Sequence, residues 1–257
     1  MNDLFSLQDR VALITGGSRG IGRMIAKGFL AQGARVYISS RKADACRETA
    51  RELSSNGARC VALPGDASTS EGITALVGAF TQHESKLDIL VNNAGTAWLA
   101  QFVEFPEKGW DKVLDLNLKA PFFLTQALHP VLRAAASSSR PAKVINIASI
   151  DGLSVNPQET YSYAASKAGL IHLTRRMALR LVQDHIVMSA IAPGAFATDM
   201  NLLARDHAAE IAGRIPAQRI GTEEDMAGAA IFLASRAGDY VVGSTIVVDG
   251  GVSYARA

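Results

Sequence analysis

Residues 11–29 read VALITGGSRGIGRMIAKGF: an apolar run, a glycine-rich turn and the start of a helical pattern. Two motifs overlap here. Gly16, Ser18 and Gly20 spell G-x-S-x-G, which in the right context is the strained elbow that presents a nucleophilic serine. Gly16, Gly20 and Gly22 spell T-G-x-x-x-G-x-G, a turn bare enough for backbone amides to approach a pyrophosphate. Position separates them. An elbow needs earlier strands to supply its oxyanion loop, and this turn follows the first strand of the chain; nothing ties His207 or Asp199 to Ser18. The phosphate reading fits glycine by glycine. Gly16 permits a sharp exit from the strand, Gly20 lets the main chain approach a phosphate, and Gly22 lets helix and strand pack closely. A helix beginning near Gly20 aims its free amides and positive dipole end at the anion.

Working outward, short runs rich in Val, Ile and Leu recur at 11–15, 36–39, 60–63, 89–91, 144–147, 186–191 and 245–248. Several are apolar at consecutive positions, as strands covered on both faces are. Helical periodicity fills 20–32, 43–56, 70–82, 107–135, 161–184 and 223–234. This alternation predicts an α/β fold: a single doubly wound Rossmann domain over residues 1–257, with about seven parallel strands and helices on both faces. Ligands of such a sheet bind at the carboxyl ends of its strands.

Composition narrows the function. The 257 residues are 48% hydrophobic and 19% charged with a net charge of +2, and the basic residues are scattered, so no nucleic-acid footprint or polybasic membrane patch is expected. No apolar run reaches membrane-spanning length and the N-terminus lacks a signal-peptide pattern, which predicts a cytoplasmic protein. Cys46 and Cys60 are too few for a disulfide framework or zinc site and read as free thiols, Cys60 within a strand. The five histidines have no ligand spacing, so no metal is expected.

The glycine turn, NNAG at 92–95, NIAS at 146–149, Y-x-x-x-K at 163–167, PG at 193–194 and VDGG at 248–251 occur together and in order. As a set they resemble the short-chain dehydrogenase/reductase family over nearly the whole chain, Arg10 to Gly251, and most of all its 3-oxoacyl-thioester (β-ketoacyl-ACP) reductases. The resemblance implies a nicotinamide-dependent oxidoreductase. Tyr163 and Lys167, four apart in a helical segment, share one helix face. A neighbouring ammonium favours a phenolate, so Lys167 is expected to lower the Tyr163 pKa from its usual value of about 10. Tyr161 is a decoy, because Ala165 stands four residues after it.

By resemblance, Tyr163 is the general acid and Lys167 also holds the nicotinamide ribose. Ser149, fourteen residues before Tyr163, hydrogen-bonds the developing alkoxide, and Asn117 supports a water-mediated proton relay to the lysine. The cofactor would lie along Gly16, Ser18, Arg19, Gly20, Ile21 and Gly22. Asp66 would bond the adenine amine with Ala67 beside it, Asn93, Ala94 and Gly95 would line the adenosine ribose, Pro193 and Gly194 would touch the nicotinamide, and Thr198 its carboxamide. Where NAD-specific relatives carry an acid after the second strand, this chain has Ser40 followed by Arg41; with Arg19, two arginines and no acid predict NADP(H).

A substrate lid is expected within 195–221, where Phe196, Met200, Leu202, Leu203, Ile211 and Ile215 join Trp98, Leu99, Val155 and Pro157 around an apolar pocket. That favours an apolar small-molecule ketone or its alcohol, above all a 3-oxoacyl thioester. The alternatives are an NADP-linked sugar or polyol dehydrogenase and a non-catalytic NADP-binding regulator. Carrier-protein reductases place a basic residue at the end of the Y-x-x-x-K helix, where this chain has Asp184; this argues against acyl carrier protein as a partner, although Arg140 could supply a contact. By resemblance the assembly is a homotetramer pairing the helices at 107–135 and 161–184 and the C-terminal strand.

Overall fold

The computed structural model describes residues 3–54 and 59–255. Seven strands, β1 (Val11–Thr15), β2 (Arg35–Ser39), β3 (Cys60–Ala62), β4 (Ile89–Asn92), β5 (Ala142–Ile147), β6 (Ile186–Pro193) and β7 (Thr245–Val248), form one parallel sheet in the order β3-β2-β1-β4-β5-β6-β7. The alternation of strand and helix is realised as a Rossmann-type α/β domain. Consecutive residues of the central strands feed opposite layers, because side chains on a strand alternate between faces. Ala12 and Ile14, Val36 and Ile38, and Ile89 and Val91 join the core beneath α1 (Gly20–Ala31) and α9 (Glu223–Ala234). Leu13, Tyr37 and Leu90 join the opposite core, beneath α3 (Ser70–Thr81), α5 (Ala120–Ala135) and α6 (Tyr161–Leu181). Burial on both faces is what makes these strands read as continuous apolar runs.

The remaining α-helices are α2 (Ala43–Leu53), α4 (Glu107–Leu114) and two short ones after β6, α7 (Leu202–Asp206) and α8 (Ala208–Ala212). The helix expected at 43–56 ends at Leu53, and its last two predicted positions lie outside the described residues. The helix expected over 107–135 is interrupted: Asp115–Lys119 form a π-helical turn between α4 and α5. The last turn expected in 161–184 is a 3-10 turn, Val182–Asp184, closed by His185 at φ 58°. Cys46 and Cys60 are both buried, and burial pushes the Cys60 thiol up to about 12. Among the described residues no helix is long and apolar enough to cross a membrane.

Strand order reverses between β1 and β4, opening a crevice at their carboxyl ends. Thr15, the last residue of β1, fixes that crevice: its Oγ1 accepts the N–H of Asn93 (3.1 Å) and of Ala94 (3.0 Å). Beneath it Asn92 donates to Asn146 across β4 and β5 (2.8 Å) and to Thr125 (3.2 Å), while Asn146 donates to Thr174 of α6 (2.8 Å). This network satisfies two fully enclosed amides and locks the two central strands to α5 and α6.

Candidate active site

The cofactor residues named from the sequence converge on one edge of the sheet. Gly16 to Gly22 leave β1, Ser40 and Arg41 leave β2, Asp66 and Ala67 follow β3, Asn93 to Gly95 leave β4, and Pro193 and Gly194 end β6. Gly16 and Gly20 adopt φ of 65° and 52°, the left-handed region that favours glycine. A Cβ on Gly22 would collide with the Gly16 carbonyl and the Asn93 amide. That amide is a brace: Asn93 Nδ2 donates to Thr15 O (2.8 Å) and Gly16 O (3.1 Å), tying β4 to the glycine turn. Thr49 of α2 holds the turn from the other side, donating to Ser18 O at 3.0 Å. The turn is therefore a braced cradle at the amino end of α1, bare of side chains at Gly16, Gly20 and Gly22, and a dinucleotide pyrophosphate fits it on steric and electrostatic grounds.

After β3, Asp66 Oδ1 accepts from Ser68 N (3.0 Å) and Ser68 Oγ (2.7 Å), which orients the carboxylate. Ser40 is part-buried and Arg41 exposed. Arg41 has no ion-pair partner among the described residues, whereas Arg19 donates to Asp199 of the segment after β6 at 2.8 Å. Thr198 rests against the same turn, its Cγ2 lying 3.3 Å from where a Gly20 Cβ would stand. Thr198 and Asp199 thus tie the segment after β6 to the glycine turn.

Tyr163, Ser149, Lys167 and Asn117 come together at the ends of β4 and β5. Ser149 caps the 3-10 turn Ile150–Gly152, its Oγ accepting the Asp151 N–H at 3.1 Å, and it lies near enough to the Tyr163 phenol to favour its ionised form. Lys167 is 4% exposed; its Nζ donates to Ile147 O at 2.7 Å and lies 5.6 Å from the centre of the Tyr163 ring. Gly95 lies against the same group: a Cβ there would sit 3.3 Å from Asn117 Oδ1 and 3.7 Å from Lys167 Nζ. Asn117 is in the π-helical turn, with both ends of its amide engaged. Oδ1 accepts from Thr96 N (2.9 Å), and Nδ2 donates to Thr96 O (2.9 Å) and Ser166 Oγ (3.1 Å). Thr15, Thr96 and Ser166 were not singled out by sequence, because each acts through a hydroxyl or backbone group with no motif of its own.

The electrostatics correct one expectation. Burial dominates over charge pairing, pushing the Tyr163 phenol up to about 12 and the Lys167 ammonium down to about 8. Ser149 opposes the rise at Tyr163, and no lowering by Lys167 operates there. Lys167 places its ammonium on the Ile147 carbonyl instead of on the phenol oxygen.

The expected apolar pocket is corrected in part. Phe196 and Ile215 are buried against the body, with the Phe196 ring over Gly221, while Met200, Leu202 and Leu203 are half exposed. Trp98 stacks on Gly109 of α4 under the Lys112 ammonium, 5.4 Å away, and Val155 is fully exposed. Tyr161 turns away from the site, donating to Glu159 at 2.9 Å and packing edge-on against Phe102 and Phe105.

Comparison with known proteins adds an independent line. A family model described as enoyl-(acyl carrier protein) reductase matches residues 16–253. The chain is 47% identical, over 98% of its length and 99% of the relative's, to the rhamnolipids biosynthesis 3-oxoacyl-[acyl-carrier-protein] reductase of Pseudomonas aeruginosa. It is 40% identical to the 2-dehydro-3-deoxy-D-gluconate 5-dehydrogenase of Dickeya dadantii, over 96% of each chain. Among solved structures, the Pseudomonas aeruginosa RhlG/NADP active-site complex superposes with a TM-score of 0.94 at 45% identity, covering 98% of this chain and 100% of that one.

Proposed function

The chain belongs to the short-chain dehydrogenase/reductase family of oxidoreductases, and from that premise we propose that it reduces an apolar ketone, a 3-oxoacyl thioester, at the expense of NADPH. The observation that carries this reading is the grouping of Tyr163, Ser149, Lys167 and Asn117 beside a glycine cradle shaped for a dinucleotide. NADPH, when bound, supplies the hydride. Its 2'-phosphate would lie by Ser40 and Arg41, where an unpaired guanidinium and the absence of an acid favour a dianion. Arg19 would join them by exchanging Asp199 for the phosphate. The pyrophosphate would lie on Gly16 to Gly22, the adenine by Asp66 and Ala67, and the nicotinamide by Pro193, Gly194 and Thr198.

Each protein group then has a defined task. A phenol held neutral by burial is a proton donor at neutral pH, and Tyr163 gives its proton to the carbonyl oxygen as that oxygen gains charge. Ser149 accepts the Asp151 N–H, and its hydroxyl proton, which otherwise favours the Tyr163 phenolate, would serve the same oxygen once the carbonyl is bound. Lys167, poised near pH 8, replaces the proton that Tyr163 loses. Both Asn117 Nδ2 protons are committed to Thr96 and Ser166, so its side chain fixes the turn facing Lys167 and would support the proton relay by position, with no donor left for a water.

Carrier-protein thioesters fit better than Asp184 alone suggested. That carboxylate is 7% exposed and ringed by His129 (3.0 Å), Arg180 (2.7 Å) and Arg133. The two arginine side chains are 62% and 58% exposed, so the surface over this buried acid is basic. An acidic carrier would meet cations there. We infer a homotetramer built through α4, α5, α6 and β7, and light scattering at four times the chain mass would support it. The reading is tested by following NADPH consumption against 3-oxoacyl thioesters, simple ketones and sugar acids, with NADH in parallel. Fastest turnover on the thioesters with NADPH is expected, and preference for a sugar acid would refute the substrate reading.

A further inference from the structure

The turn after β5 carries a carboxylate that the chemistry above leaves idle. Asp151 stands two residues past Ser149 in the turn Ile150–Gly152 and is half-buried. The turn is clamped on both sides. The Asp151 N–H holds Ser149 Oγ at 3.1 Å, and the next residue, Gly152, presses on α6 so closely that a Cβ there would lie 2.6 Å from the Lys167 carbonyl carbon. Among the described residues no cation or side-chain donor meets the Asp151 carboxylate. The other acid of this mouth, Glu159, is committed to the Phe102 N–H (3.1 Å) and the Tyr161 hydroxyl. Of the charged side chains, Asp151 alone makes itself felt at both Tyr163 and Lys167, raising each.

We propose that Asp151 is a specificity-determining residue, a carboxylate without a hydrogen-bonding partner on the turn that holds Ser149, which admits neutral carbonyl compounds and turns away those bearing a carboxylate near the carbonyl. Like charges brought together in a site shielded from water repel strongly, and the Lys167 ammonium, held on the Ile147 carbonyl, does not pair with this carboxylate. An acyl group masked as a thioester enters, while the corresponding free 3-oxo acid or a sugar acid is refused. The inference rests on the placement of Ser149 and Tyr163 at the reacting carbonyl.

Two measurements separate its failure from failure of that placement. The first compares a 3-oxoacyl N-acetylcysteamine thioester with the free 3-oxo acid of the same chain length. Asp151→Asn is expected to lower the thioester-over-acid ratio of kcat/KM about tenfold, and Asp151→Glu to preserve it. An unchanged ratio in Asp151→Asn overturns the proposal. The second needs no substrate: Lys167 is titrated by NMR of protein carrying 13Cε-lysine, with Lys167→Met assigning the resonance. The midpoint is expected to fall in Asp151→Asn and hold in Asp151→Glu, because the carboxylate favours the ammonium. A midpoint unmoved by Asp151→Asn also overturns the proposal, whereas a shifted midpoint in an enzyme inert towards both compounds counts against the reductase reading alone.

Discussion

Replacing Lys167 by Met should abolish turnover while removing a stability penalty that the fold carries at neutral pH. The ammonium is 4% exposed, and burial depresses its pKa from 10.5 to about 8. At about 1.4 kcal/mol per unit, keeping it charged at neutral pH costs the folded state roughly 3 kcal/mol. Methionine fills similar volume without charge but leaves the Ile147 carbonyl, now bonded at 2.7 Å, without a donor. That loss is worth about 1–3 kcal/mol, so near pH 7 the variant should equal or exceed the wild type by about 0–2 kcal/mol. The sign reverses with pH. Between the folded and unfolded pKa values the unfolded chain holds the extra proton, so wild-type stability rises with pH across that window. From about pH 7 to about pH 10 the wild type should gain about 2–3 kcal/mol on the variant. Urea unfolding of both proteins without cofactor at the two pH values measures this, since every other titration cancels in the difference. A difference independent of pH would refute the argument that burial dominates the lysine.

Two further substitutions probe the cofactor cleft. Combining Ser40→Asp with Arg41→Ala should move preference from NADPH toward NADH by about tenfold or more, because a carboxylate repels the 2'-phosphate and accepts from a 2'-hydroxyl; unchanged selectivity in kcat/KM would refute the assignment. Gly22→Ala should weaken NADPH binding and lower stability by about 1–3 kcal/mol, since its methyl would strike the Gly16 carbonyl and the Asn93 brace. Fluorescence titration with thermal melting checks both effects.

The strands were legible because burial on both faces leaves a mark in consecutive residues, as in Val11 to Thr15 and Ile186 to Ile191. The residues grouped around Tyr163 were legible because Y-x-x-x-K, NIAS and NNAG place their chemistry at strand ends or on one helix face. What the sequence hid depends on distance or on backbone register. The π-helical turn at Asn117 spans only Asp115–Lys119, too short to show a period of its own. Helices as short as Leu202–Asp206 and Ala208–Ala212 span too few turns to show a periodicity. Asp184 read as a missing cation until His129 and Arg133, more than fifty positions earlier, proved to surround it. The Tyr163–Lys167 spacing places two side chains on one face but does not say which acceptor the ammonium chooses, and it chose Ile147.

The central claim is that Tyr163 delivers the proton while other groups hold the cofactor. Its most direct test is Tyr163→Phe, with NADPH affinity measured by fluorescence and reduction of a 3-oxoacyl thioester measured by loss of NADPH absorbance on the same preparation. The account predicts affinity within about threefold of wild type and turnover reduced by about a hundredfold or more. Near-normal turnover with intact binding would contradict it.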